Sequence, residues 1–431
     1  NNIAIDSTIS TANGTYSLPF TVPVRVEFEF MLPTPCVDSN VDFNSFALGG
    51  DNVRFVTTST NNLDYGIQNP QDYQITADPY IYIAKLNRGD PLQPGASATA
   101  DALYGYLYSS AAFTPTFTAP ASAVGTLWGI AYSRQAKKVF AAAFMKRQCG
   151  YGPMGSGGIY LCTPTGTSFT VTNFYDMDAN GHRTRALPTA APYGNGTSFT
   201  INAAGTEASY LGPIDPLTGD PEGLGVIGVN GAGGRGFTSS LTDHWNDPAA
   251  LDQVGKVGLG DIDISEDGKF LYVANLYSRM LFRLELDNPA SPTSVIAVDS
   301  FPLPNVTANN GKLRCFGVSY YRGAVYLGAV TTGENGGQNI VNGATDLYAY
   351  VFKLENALSA IPTYNATPVI TFPLNYLKGA VIGGSGTQWY PWNKKTDILL
   401  PGEPHLPTPM LSDIEFSDGG DLIMDFCDRT G

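Results

Sequence analysis

The sequence predicts an all-β chain, with a small β-sandwich over residues 1–69, an extended connector over 70–97 and a β-propeller of five to seven blades over 98–431. Three observations carry that expectation. Short alternating runs of apolar and polar residues, separated by Gly, Asn, Asp and Pro, dominate the chain, and no stretch of helical length carries an apolar stripe at i, i+3, i+4 spacing. With 48 Gly and 30 Pro in 431 residues and only 14% charged residues, the composition suits many short strands closed by tight turns. Finally, one strand–turn–strand pattern recurs, and a single such unit cannot bury both of its own faces.

The clearest copy is Gly260–Leu286. Asp261–Ser265 and Lys269–Asn275 flank Glu266-Asp267-Gly268, and Asp-Gly between alternating runs is the strongest short-range hairpin signal. Met280–Leu286 supplies a third strand. The pattern returns in Trp128–Ser133 with Lys138–Phe144, in Phe316–Tyr320 with Ala324–Val330, and in Ser412–Ser417 with Asp421–Phe426. Outer strands follow three of the copies: Gly158–Thr163 with Ser168–Phe174, Met280–Leu286 with Ser294–Asp299, and Leu347–Leu354 with Pro368–Phe372. The gap over 176–258 is expected to hold a degenerate blade built on Ser198–Asn202 and Val226–Val229. The last copy has two strands, and Ala102–Ser109 with Phe113–Phe117 are expected to complete it, because an open ring leaves strand edges exposed.

Ahead of the propeller, Tyr16–Phe20, Val24–Phe30, Asn52–Thr58 and Leu63–Ile67 read as strands. In the second of these Val24, Val26, Phe28 and Phe30 share one face and Arg25, Glu27 and Glu29 the other, the signature of a half-buried sheet in a sandwich. The prolines Pro70, Pro79, Pro91 and Pro94 mark the connector, and the Arg88-Gly89-Asp90 within it reads as a polar turn rather than an adhesion motif.

Two stretches resemble a known family. The run GTYSLPFTVPVRVEFEFMLP at 14–33, with NVRFVTTSTNNLDYGIQNP at 52–70, resembles the end of a Cna-B-type (SdrD B-like) domain of bacterial surface proteins. TLWGIAYSRQAKKVFAAAFMKR at 126–147, GPMGSGGIY at 152–160, the run at 252–284, FPLNYLKGA at 372–380 and PMLSDIEFSDGGDLIMDFCDRTG at 409–431 resemble the uncharacterised propeller-like regions that follow such domains. The resemblance implies a bacterial cell-surface protein and brings no activity to any residue. It also implies a sandwich lacking strands on its N-terminal side and a propeller whose relatives continue further, so both ends are expected to be completed by more chain or by a neighbour.

A formal charge of −14 and a pI near 4.6 argue against nucleic acid, which needs clustered Lys and Arg. No run of apolar residues reaches transmembrane length. Low Lys content with abundant Thr, Ser, Asn and Gly suits an extracellular or surface protein. The sequons at Asn13, Asn195, Asn305 and Asn365 would carry glycans in a eukaryotic secreted protein. Cys36, Cys149, Cys162, Cys315 and Cys427 have no zinc spacing and are expected to form few or no disulfides; tight pairing would set Cys162 opposite roughly residue 144.

Several constellations are candidates for chemistry. Asp176, Asp178 and Asn180, before Gly181, have the D-x-D-x-N-G spacing of calcium loops, in which alternate oxygens converge on one cation, but Thr184 and Leu187 stand where the later ligands belong. Gly231–Gly236 matches G-x-G-x-x-G outside any βαβ context and does not read as a nucleotide loop. His182, His244 and His405 lack metal-ligand spacing. Asp261, Asp263, Asp413 and Glu415 lie on first strands, which line a propeller's channel; Asp261 and Asp413 occupy equivalent positions, with Gly129 and Gly317 in the same place in the other copies. Such carboxylates bind a cation, act as acid and base, or bond to backbone at the channel end. The leading expectation is a non-enzymatic structural or adhesive surface protein, associating with itself, with other surface proteins or with glycans, and building filaments by β-strand addition. The rivals are a lactonase-like or glycosidase-like hydrolase, and a carbohydrate binder using Trp389, Tyr390 and Trp392.

Overall fold

The computed structural model describes residues 7–11, 15–19, 26–29, 37–38, 53–56, 67–68, 78–185, 199–201, 208–210, 253–334, 346–379, 387–392, 407–417 and 420–429. The chain divides into two compact units, Asn1–Pro79 with Asp418–Asp421, and Tyr80–Ser417 with Leu422–Gly431. Among the described residues no helix is long and apolar enough to cross a membrane.

In the first unit Val26–Glu29 pairs antiparallel with Val53–Val56, and Val37–Asp38 with Ile67–Gln68. The strand expected over Tyr16–Phe20 is not formed through Pro19. Thr11 instead donates from both its backbone N–H and its hydroxyl to the Thr15 carbonyl, closing a local turn, and Pro19 has no N–H to give a ladder.

The second unit is a β-propeller with five blades among the described residues. Blades I and II are continuous in one seven-stranded sheet: blade I holds Tyr80–Ala84, Asp101–Leu107 and Phe117–Pro120, and blade II holds Leu127–Ser133, Lys138–Ala143, Gly158–Thr165 and Ser168–Asp176. Blade III holds Leu259–Ile264, Phe270–Asn275, Met280–Leu286 and Val295–Pro302. Blade IV holds Leu313–Tyr321, Ala324–Thr331 and Tyr348–Glu355, whose outer side takes both Thr363–Tyr364 and Ile370–Pro373. Blade V is the hairpin Pro409–Phe416 with Leu422–Asp428. The hairpin turn of blade III forms as its sequence requires: Gly268 takes φ 70°, its N–H donates to the Ser265 carbonyl, and the Asp267 carboxylate accepts from Ser265 Oγ and the Lys269 N–H.

Alternation along each second strand explains why these segments read as continuous apolar runs. In Phe270–Asn275 every residue is buried. Leu271 and Val273 pack toward blade II with Phe140, Ala142 and Leu161, while Phe270, Tyr272 and Ala274 pack toward blade IV with Val325, Leu327 and Phe352. Rings tie neighbouring blades: Tyr82 stacks on Tyr132, Tyr272 on Tyr320, and Tyr321 on Phe416 with centroids 4.1 Å apart. The buried Arg283 joins blade III to the loop after blade IV's third strand. It binds Asp299 Oδ2 through Nε and Nη2, and gives Nη1 to the carbonyls of Ala357 and Ser359.

Further sequence expectations are corrected. Residues 80–84, placed in the connector, form a strand that pairs with Asp101–Leu107, and a short helix follows at Ala96–Thr99. Residues 102–117 do not complete the last blade: they pair with Tyr80–Ala84, and blade I meets blade II's outer strand through Thr118 and Ser168. Among the described residues no blade stands between II and III, whose inner strands touch: a Cβ on Gly129 of blade II would lie 2.7 Å from the Ile262 nitrogen of blade III. Phe199–Ile201 does form, paired with Ala208–Tyr210, whereas Val226–Val229 lies outside the described residues. Cys149, Cys162, Cys315 and Cys427 are free thiols, and Cys162 stands opposite Val139 rather than residue 144.

Candidate functional site

The first strands of blades II, III, IV and V share one irregularity. Each breaks register with its second strand near its start: between Leu127 and Ile130, Leu259 and Ile262, Cys315 and Val318, and Leu411 and Asp413. A bulge of this kind bends the strand and re-aims its side chains. Gly129, Asp261 and Gly317 lie within these breaks and Asp413 at the edge of one, so the equivalence read from the sequence coincides with a structural feature. A Cβ on Gly317 would lie 3.0 Å from backbone atoms of Asp413, as one on Gly129 would crowd Gly260–Ile262. Glycine at these positions is what lets adjacent inner strands touch.

Between blades III and IV the contact is made differently. Asp261 accepts from its neighbour Ile262 N–H on Oδ1 (2.9 Å) and from Val318 N–H of blade IV on Oδ2 (2.9 Å). Two residues on, Asp263 repeats this with Ile264 N–H (2.7 Å) and Tyr320 N–H (2.6 Å). The two carboxylates thus satisfy N–H groups on the inner edge of blade IV that have no strand partner there. In blade V, Asp413 and Glu415 accept from the N–H groups of Ile414 and Phe416.

These four acids line one side of a cavity of about 340 Å³. Tyr82 of blade I and Trp128, Ile130 and Tyr132 of blade II line the other, and Val318 of blade IV contributes as well. Trp128 spans the channel, donating from Nε1 to the Ser412 carbonyl (3.3 Å) and packing edge-on against Phe316. All four carboxyls are pushed above the usual carboxylate range. Burial is the main cause in each; for Asp261 the charge of Asp413 follows, and Asp263 reaches about 7. Burial likewise raises Tyr82 and Tyr132. Among the described residues no group of three or more His, Cys, Asp or Glu is arranged to hold a metal ion.

The other sequence candidates sit apart from this cavity. Asp178 accepts from Thr184 N–H and Thr184 Oγ1 and from Ser156 Oγ, with Arg185 Nε 3.4 Å away. Asp176 accepts from Ala179 N–H, and Asn180 Nδ2 donates to the Asp176 carbonyl. The oxygens of that loop therefore hold the turn leaving blade II. Trp389 and Trp392 are buried, and Trp392 has Arg429 over its ring and gives Nε1 to the Pro409 carbonyl, so both are packing residues rather than an exposed glycan platform. His182 lies edge-on to Phe282, while His244, His405, Cys36 and Gly231–Gly236 lie outside the described residues. Sequence reasoning missed the aromatic wall. The alternation of Trp128, Ile130 and Tyr132 on a first strand was its available signal, whereas Tyr82 was hidden by the misplaced connector.

No protein-family model matches the chain. Among curated proteins it is similar to three from Dictyostelium discoideum. It is 21% identical to Colossin-D over 444 residues, which is all of this chain and 39% of that protein, and 21% identical to Colossin-C over all of this chain and 37% of that one. It is 25% identical to Colossin-A over 71% of this chain, a match covering 2% of Colossin-A. The chain thus spans well under half the length of the curated relatives it matches. Among solved structures it is similar to proteins assigned as 6-phosphogluconolactonases from Bacteroides fragilis (12% identity, 81% of this chain and 87% of that one, TM-score 0.27) and Bacteroides uniformis (11%, 70% and 84%, TM-score 0.24). Likenesses this weak say nothing of what the chain binds or does.

Proposed function

We propose that the chain is a non-catalytic, extracellular module of a long surface protein, serving structure or adhesion through contacts with copies of itself or with other surface molecules. The observation that carries this reading is the use made of the channel acids. Both oxygens of Asp261 and of Asp263 accept backbone N–H groups, one of each pair from the next blade, so these carboxylates join blades III and IV. The short coverage of far longer relatives supports a module, and the composition, with its low Lys content and its sequons, supports an extracellular setting. The resemblance of 14–33 and 52–70 to Cna-B-type domains of bacterial surface proteins belongs to the same reading.

Assembly by strand addition is its most specific form. Among the described residues, the outer strand Leu422–Asp428 of blade V has Pro409–Phe416 as its ladder partner and leaves Ile423 half exposed, the kind of edge a neighbouring strand covers. Electron microscopy and sedimentation of the purified chain over a range of concentrations test it. The expected result is concentration-dependent head-to-tail oligomers, reduced by Ile423→Lys; monodisperse monomers at every concentration would remove the filament.

A second reading, hydrolysis at the channel, is favoured by one observation: four carboxyls with raised proton affinity around one cavity, the arrangement that acid and base catalysis uses. Lactones and aryl glycosides offered to the wild-type chain and to Asp261→Asn and Asp413→Asn separate the two. Turnover abolished in Asp413→Asn would establish the enzyme and displace the module reading.

A further inference from the structure

The channel cavity is built from two unlike walls, and their combination specifies a ligand class. One wall carries the carboxyls of Asp261, Asp263, Asp413 and Glu415; the other presents Tyr82, Trp128 and Tyr132 with Ile130. None of the residues lining it is Lys, Arg or His, so no protein cation neutralises the acidic wall from within the cavity. At about 340 Å³ it lies at the small end of the range for small-molecule sites, about 300–1,000 Å³. An inorganic divalent ion does not suit it. Such ions need several oxygens converging at short range, and no such group occurs among the described residues. Carboxyls from blades III and V together with Tyr and Trp side chains from blades I and II suit a cation that is itself extended and partly apolar. The carboxylates take its N–H donors, and the Tyr and Trp side chains take its methylenes and the charge next to them.

We propose that this cavity binds a small organic ammonium ion, a linear amine of the polyamine type, with Glu415 as its principal charged partner and the hydrogen-bonded pair Asp413 and Asp261 beside it. Asp261 and Asp263 already accept two backbone N–H groups each, and Asp413 accepts Ile414 N–H and shares a side-chain hydrogen bond with Asp261, whereas Glu415 accepts one N–H from its own strand and keeps the greatest capacity. Binding is linked to protons. The groups around the cavity are Tyr82 of blade I, Tyr132 with Arg134 nearby on blade II, Asp261 and Asp263 of blade III, Tyr320 of blade IV, and Asp413, Glu415 and Asp425 of blade V. Burial raises the proton affinity of the carboxyls among them, and an ammonium favours their ionised forms, so binding is coupled to proton release and strengthens as pH rises.

Titration calorimetry of the full chain with spermidine, with calcium chloride as a parallel probe, tests this. The expected result is saturable one-to-one spermidine binding at about pH 8 that weakens about tenfold or more by about pH 5.5, with protons released on binding at intermediate pH. Glu415→Gln and Asp413→Asn each weaken binding about tenfold with the wild-type urea midpoint as the check on folding, and Tyr132→Ala weakens it without changing the proton release. Absence of saturable spermidine binding, binding unchanged in both acid variants, or a saturable response to calcium alone would overturn the assignment.

Discussion

Stability of the propeller is expected to fall as the solution is made less acidic, and Asp263 is the residue on which this turns. Burial raises its pKa to about 7, against the usual 3.8, although Tyr320 and Ile264 N–H groups pull the other way. The sign follows from proton counting. Between the two pKa values the folded chain binds the proton and the unfolded chain does not, so stability declines as pH rises through that window and levels off above it. Asp263 alone, moved from pH 5 to pH 8, accounts for a loss of about 2.5 kcal/mol. Asp261, Asp413 and Glu415 are shifted in the same direction and steepen the decline. The assay is urea unfolding followed by tryptophan fluorescence at half-unit intervals over that range, for wild type and Asp263→Asn. Asparagine cannot ionise and keeps one acceptor oxygen for the Tyr320 or Ile264 N–H, so the variant should show a visibly flatter profile and lose least, relative to wild type, at the alkaline end. A wild-type profile that rises from pH 5 to pH 8, or an Asp263→Asn profile of unchanged slope, would refute the reasoning.

Three further outcomes follow from the same structure. Glu334 is buried, and although burial pushes its pKa up, the Arg314 guanidinium, which it receives in a two-pronged contact at 2.9 and 3.0 Å, and Lys256 hold it below the usual range. Glu334→Gln should cost about 3–5 kcal/mol at neutral pH by leaving Arg314 without its counter-charge, and the stability that the native carboxylate loses below its unfolded pKa should vanish from the acid limb of the urea profile. Gly129→Ala places a methyl against backbone atoms that have no rotamer to yield, so blades II and III must part, at about 1–3 kcal/mol read from the shift in urea midpoint. Arg283→Met removes the donors to Asp299 and to the Ala357 and Ser359 carbonyls; the Tyr272 hydroxyl still serves the Ala357 carbonyl and water reaches the exposed Asp299 and Ser359, so the loss should be about 1–3 kcal/mol, read from the urea midpoint, with faster amide exchange at the blade III–IV seam.

Which parts of this were legible in the sequence depends on how far a signal travels along the chain. The strands of blades II to V were legible because a strand buried on both sides writes a continuous apolar run, as Phe270–Asn275 does, and Asp267-Gly268 fixes its turn locally. Of blade I, the strand at 102–109 was legible but was assigned to the last blade, whereas Tyr80–Ala84 was missed, because Pro79, Pro91 and Pro94 mark its surroundings as extended chain and only the pairing with Asp101–Leu107, about twenty residues on, makes it a strand. Aligning the copies found Asp261 and Asp413. It did not find their partners, since Val318 N–H lies 57 residues from Asp261 and on another blade.

That pairing accounts for the alternation of glycine and aspartate around the ring, which the sequence displayed without explaining. Where blade II meets blade III, and where IV meets V, Gly129 and Gly317 bring one inner strand directly onto the backbone of the next. At the seam between III and IV the strands are joined by the carboxylates of Asp261 and Asp263, which satisfy the Val318 and Tyr320 N–H groups. A glycine at 261 would leave the Val318 N–H buried without its acceptor, and an aspartate at 129 would collide with Gly260–Ile262. The residue types are therefore dictated by the kind of seam, and the acids of blade III are present because their seam needs acceptors. Asp413 and Glu415 of blade V have no next blade's N–H groups bonded to them among the described residues; Asp413 shares a side-chain hydrogen bond with Asp261, which leaves Glu415 as the channel acid least engaged by the architecture.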